Sequence, residues 1–95
     1  MNNIIKQINY DQSQQILGKS KLVDFIGENK VFILFIADWS VPSRIISSRL
    51  KKIDSVEHRV GYIDVDLVDN ITLCEDYDVK SVPHCLVLEH SKILY

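Results

Sequence analysis

Cysteine is scarce in this chain of 95 residues, with Cys74 and Cys85 the only two. That is too few for the cross-linked framework of a small secreted domain, and it suits a reducing compartment. Glycine and proline are also sparse, at three and two, which leaves no flexible linker and no Gly-rich loop to cradle a phosphate. Neither sign of charge dominates. Eleven basic and thirteen acidic residues give a formal net charge of −2, with no basic stripe to follow a nucleic-acid backbone. No apolar run approaches membrane-spanning length, and the start Met1–Lys6 lacks a charged segment leading into an apolar one. From these absences we expect a cytoplasmic or nuclear protein with neither nucleic acid nor membrane as a partner.

Hydrophobic residues at 46% and charged residues at 25% are the proportions of an ordinary globular domain. Without repeats or linkers, residues 1–95 read as one domain, able to bury about 60–65% of the surface its unfolded chain exposes. Ile4, Ile5 and Ile8 suggest a first strand. Ser20 is placed to cap a helix carrying Leu22, Val23, Phe25 and Ile26, which Gly27 ends. The run Val31–Ile36 is apolar and β-rich throughout, as a strand covered on both faces must be. Ile46, Leu50 and Ile53 recur at helical spacing, and Tyr62–Asp66 reads as a strand. Asn70 can cap a short helix through Tyr77, and Cys85–Leu88 forms a strand leading to a turn at His90–Ser91. Such alternation predicts an α/β sheet with helices on both faces.

Three ordered segments resemble successive signatures of the thioredoxin superfamily. They are Phe35–Trp39 followed by Pro42, then Ile63–Asp66, then Tyr77–Pro83. The resemblance implies a thioredoxin-like three-layer sandwich with a central mixed sheet. It also implies the rest of an edge strand and a last helix beyond Tyr95, so that one face and one edge of the sheet are left uncovered for association. Serines stand at Ser40 and Ser43, where the family carries the cysteines of Cys-x-x-Cys, and Leu34 replaces the family's buried aspartate. Thiol–disulfide exchange needs a thiolate, and a serine hydroxyl cannot replace it. Val82-Pro83 corresponds to the family's cis-proline, whose backbone pairs with an extended substrate peptide; His84 replaces the threonine that follows. A related resemblance is to the N-terminal thioredoxin-like domain of multidomain monothiol glutaredoxins, where the motif is similarly degenerate.

Two function classes follow. The first is a redox-inactive module that binds a protein or extended peptide through Trp39, Ser40, Val41, Pro42, Val82, Pro83 and His84. The second is a divergent thiol–disulfide oxidoreductase in cell redox homeostasis, with Cys85 or Cys74 as its redox thiol. No catalytic serine is expected, since Ser40 sits where a helix N-cap belongs and no base adjoins it. Both cysteines also fit the description of inert buried thiols. No cofactor or metal is expected. His84 lacks spaced partners, and Asp64, Asp66, Asp69, Glu75, Asp76 and Asp78 lack calcium-loop spacing and read as a solvated rim.

Overall fold

Strand β1 (Lys30–Ile36) is apolar on both faces and therefore has to lie at the centre of a sheet, between two layers of cover. It does so in the computed structural model, which describes residues 14–27, 30–53, 59–89 and 92–93. The sheet runs β2-β1-β3-β4. Strand β2 (Arg59–Asp64) is parallel to β1, with Tyr62 opposite Leu34; β3 (His84–Glu89) is antiparallel to β1, with Cys85 opposite Leu34. A short β4 (Lys92–Ile93) pairs antiparallel with β3. The expected strand at Ile4–Ile8 and the turn at His90–Ser91 lie outside the described residues. Beside β2, an isolated parallel bridge links Gln15 to Tyr62, where the Ile16 amide donates to the Tyr62 carbonyl at 2.8 Å.

Alternation along the strands sorts the core into two clusters. On one side Val31, Ile33 and Phe35 meet Ile63, Leu86 and Leu88. This face is covered by Leu22, Phe25 and Ile26 of α1 (Gly18–Ile26) and Leu73 of α3 (Ile71–Asp76). On the other, Leu34, Ile36, Val60 and Tyr62 meet Ile46 and Leu50 of α2 (Val41–Lys51), the crossover that a parallel β1–β2 pair requires. The result is a three-layer α/β sandwich. Among the described residues α2 alone covers its face, and beside it Phe32 and Val87 remain half-buried.

Four local expectations are corrected. Helix α1 starts at Gly18 without a Ser20 cap, because its first amide is satisfied from across the fold by the Asn70 Oδ1 at 2.9 Å. Asn70 in turn occupies the N-cap position of α3, as expected, but its side chain makes no cap bond. It ends a 3-10 turn (Val68–Asn70) and is fully buried, with its Nδ2 donating to the Asp64 carbonyl at 3.0 Å. Strand β2 stops at Asp64, and Val65 and Asp66 turn away. On α2, the buried positions are Ser43 and Ser47; Ile46 and Leu50 flank them half-buried, and Ile53 lies beyond the helix end, exposed. Small serines let the helix approach the sheet closely, so the branched residues pack beside the contact line instead of along it.

Two substitutions should move stability in opposite directions. A Cβ on Gly61 would lie 2.6 Å from Ile16 Cδ1 and 2.9 Å from Phe25 Cε2, so Gly61→Ala should lower unfolding free energy by about 1–3 kcal/mol through overpacking. The Ser47 hydroxyl is buried with no hydrogen-bond partner, so Ser47→Ala should raise it by about 1 kcal/mol, helped by alanine's helix propensity. Urea denaturation reads both. A destabilised Ser47→Ala would show that the hydroxyl is bonded.

Candidate functional site

The chain leaves β1 at buried Ala37, turns through Asp38 and Trp39, and enters α2 at Ser40. Ser40 is the N-cap: the Ser43 amide donates to its Oγ at 3.2 Å, and Pro42 occupies the first helical turn, where a missing N–H costs nothing. The Ser43 hydroxyl accepts from the Ala37 amide at 3.4 Å. Both serines are buried, Ser43 fully, so the two hydroxyls at the Ser-x-x-Ser positions are engaged in holding the turn. Leu34 is also fully buried, packed with Tyr62 and Ile36, and brings no carboxylate to this end of the sheet. Arg44 reaches back to the Asp38 carbonyl at 3.0 Å.

Trp39 stands out from this turn with 68% of its surface exposed, and its Nε1 donates to Asp66 Oδ2 at 2.9 Å. Asp66 is in reach because the chain turns after β2: the Val65 amide donates to the Ile36 carbonyl and the Asp66 amide to Asp64 Oδ1, both at 2.9 Å. Trp39 walls a cleft lined also by Val65, Cys74, Val79, Lys80, Ser81 and Val82. The Val82-Pro83 bond is cis. A second cleft continues past Val65, Cys74 and Val79 to Ile71, Glu75 and Asp78. Just after α3, Asp78 adopts a left-handed φ of 53°. Aspartate tolerates that conformation, which glycine adopts most freely.

Of the expected binding residues, Ser40 is buried as the helix cap and Pro83 is half-buried beside Val82. Trp39 and Val82 share the cleft wall, while Val41 and Pro42 are exposed at the adjoining helix start. His84 packs its ring edge-on against Phe35, with centroids 5.9 Å apart, next to the Phe35–Tyr77 contact at 6.1 Å. Val65 and Val79 are cleft residues that the sequence did not single out; their signal lay in the segments Ile63–Asp66 and Tyr77–Pro83, which spoke there only for the family.

Neither cysteine forms a disulfide. Cys74 is half-buried between the two clefts, and burial followed by the Glu75 charge pushes its thiol up. Cys85, expected as a buried thiol, is exposed on the α2 side of the sheet, opposite Leu34. Its sulfur is still close enough to the protein mass for burial to push the thiol up, and it donates weakly to the Leu86 carbonyl at 3.9 Å. Asp64 is shifted up chiefly by burial, with the Asp38 and Asp66 charges adding to it and the Asp66 amide opposing. Among the described residues no group of three or more His, Cys, Asp or Glu could hold a metal ion. The capping geometry predicts that Ser40→Ala lowers stability by about 1 kcal/mol, measured by thermal or urea unfolding; no change would mean that the cap contributes nothing.

Comparison with known proteins agrees with this geometry. The Thioredoxin family model matches residues 4–94. Bovine mitochondrial thioredoxin is 31% identical over 68 residues, 70% of this chain and 41% of that protein, and its mouse counterpart aligns to the same extent. The chain thus spans about two-fifths of the length of the curated relatives it matches. Among solved structures, a point mutant of a thioredoxin from Halobacterium salinarum superposes with a TM-score of 0.76 at 24% identity, covering 85% of this chain and 72% of that one. Oxidized mitochondrial thioredoxin 3 from Saccharomyces cerevisiae superposes with a TM-score of 0.75 at 19% identity, covering 86% and 78%. Family model and fold converge: the chain belongs to the thioredoxin family.

Proposed function

We propose that this thioredoxin-fold chain is a protein- or peptide-binding module without dithiol–disulfide activity. The observation that carries the reading is the state of the two motif positions. Ser40 and Ser43 supply buried hydroxyls, each accepting a hydrogen bond from a backbone amide, where a nucleophile and its resolving thiol would be required. Leu34 offers no proton acceptor beneath them. What remains is an apolar cleft beside an exposed tryptophan, entered across Val41, Pro42 and Val82-Pro83, just ahead of His84 at the start of the β3 ladder. An extended segment would lie there with alternate side chains facing the cleft. The cysteine count favours a cytoplasmic or nuclear setting.

A second reading, oxidoreductase chemistry through a relocated thiol, draws on one feature: Cys74 lines the cleft. Both thiols are pushed up instead of down, however, which lowers the thiolate fraction that any exchange step requires. They also occupy opposite sides of the sheet, since Cys85 shares its face with Leu34 while Cys74 packs against the α1/α3 cluster. Turnover of a protein disulfide with a dithiol reductant should therefore equal the uncatalysed rate, for this chain and its Cys74→Ala, Cys85→Ala variant alike. Iodoacetamide at neutral pH should alkylate both cysteines more slowly than free cysteine. Cysteine-dependent turnover would overturn the binding-module reading in favour of the enzyme.

A further inference from the structure

We infer that the segment received by this cleft carries a lysine or arginine close to its aliphatic anchor, and that Glu75 and Asp78 face that cation. This inference rests on the binding-module reading. The two clefts adjoin, since both are lined by Val65, Cys74 and Val79. The one walled by Trp39 is apolar apart from Lys80 and Ser81, and the acidic end of the pair is the adjoining cleft bounded by Glu75 and Asp78. In an extended chain, side chains on one side recur about every 6.6–6.8 Å. A segment that places a valine, isoleucine or leucine beside Trp39 therefore presents residues two or four positions away to the acidic end.

The surrounding charge has the same sign. Asp38, Asp64 and Asp66 are close enough for Asp38 and Asp66 to raise the Asp64 carboxyl, and Asp66 is fixed to the Trp39 indole. The opposing groups are few. Lys80 lies on the rim 3.6 Å from Asp78, with both side chains 81% exposed, and Lys19 pairs with Asp76 at 3.6 Å. Water-exposed pairs of this kind contribute little and exchange partners readily, so Lys80 does not close the acidic end to an incoming cation. The same field repels phosphorylated or acidic segments and anionic lipid surfaces.

The test is a random-hexapeptide display selection on the full chain, counting sequences whose capture is lost with Trp39→Ala. Aliphatic residues with a lysine or arginine two or four positions away, on either side, should be enriched. One selected peptide is then measured in solution. Its Kd should rise about threefold to tenfold with Glu75→Gln plus Asp78→Asn, the size expected for two exposed charge contacts. Asparagine keeps the left-handed backbone at position 78 accessible. The peptide should also slow alkylation of Cys74 while leaving Cys85, on the opposite face, unchanged. Trp39-dependent peptides without a basic bias, or with an affinity indifferent to the double variant, would overturn the inference and leave the binding module standing. A selection that yields no Trp39-dependent peptide would overturn both.

Discussion

The buried amide of Asn70 is the interaction on which the architecture turns. Its Oδ1 holds the first amide of α1 and its Nδ2 the last carbonyl of β2, so one side chain fastens the helical layer to the sheet. A fully buried amide with one of these partners removed would be left with an unsatisfied polar atom, at a cost of about 1–3 kcal/mol. The connection continues to the surface. Asp64, held through its carbonyl, accepts the Asp66 amide on its carboxylate, and Asp66 accepts the Trp39 indole. A continuous path of bonded residues thus runs from the core to the wall of the cleft, and it ends at the exposed hydrogen bond between Asp66 and the Trp39 indole.

Around that frame the Ser-x-x-Ser positions and Leu34 make structural contacts. Ser40 caps a helix and Ser43 supports the preceding turn; Leu34 contributes to the core with Tyr62. Each position keeps its place in the scaffold while taking on a different physical task. The hydroxyls satisfy backbone amides that the turn would otherwise leave open, and leucine avoids the desolvation penalty of a carboxylate at a fully buried site. The cleft beside them does not depend on any of these replacements, because Val65, Val79 and Val82 build it from other segments.

Local patterns made much of this legible. The run Val31–Ile36 announced a central strand, Gly27 the end of α1, and Ser40 a cap, because each depends on neighbours in sequence. What stayed hidden depends on distant partners. Ser20 looked like a cap only because the real acceptor for α1 lies at Asn70, and at Asn70 the N-cap position was legible whereas the cross-fold bonds that occupy its side chain have no local signature. Val65 and Asp66 kept the alternation of a strand although their role is to leave the sheet and meet Trp39. The serine contact line of α2 was likewise obscured by the more hydrophobic Ile46, Leu50 and Ile53. At the site, Trp39 and Val82 stood in the segments that carry the resemblance, whereas Val65 and Val79 join them in the cleft only through the fold.

Trp39 is the single tryptophan of the chain, largely exposed, and its indole N–H is tied to a carboxylate. Nearly all of the protein's long-wavelength ultraviolet emission therefore originates at the mouth of the cleft. A wet, anion-bonded indole emits toward the red, and shielding by an incoming apolar side chain shifts it toward the blue. Occupancy of this one place is thus written into the intrinsic fluorescence of the unlabelled chain.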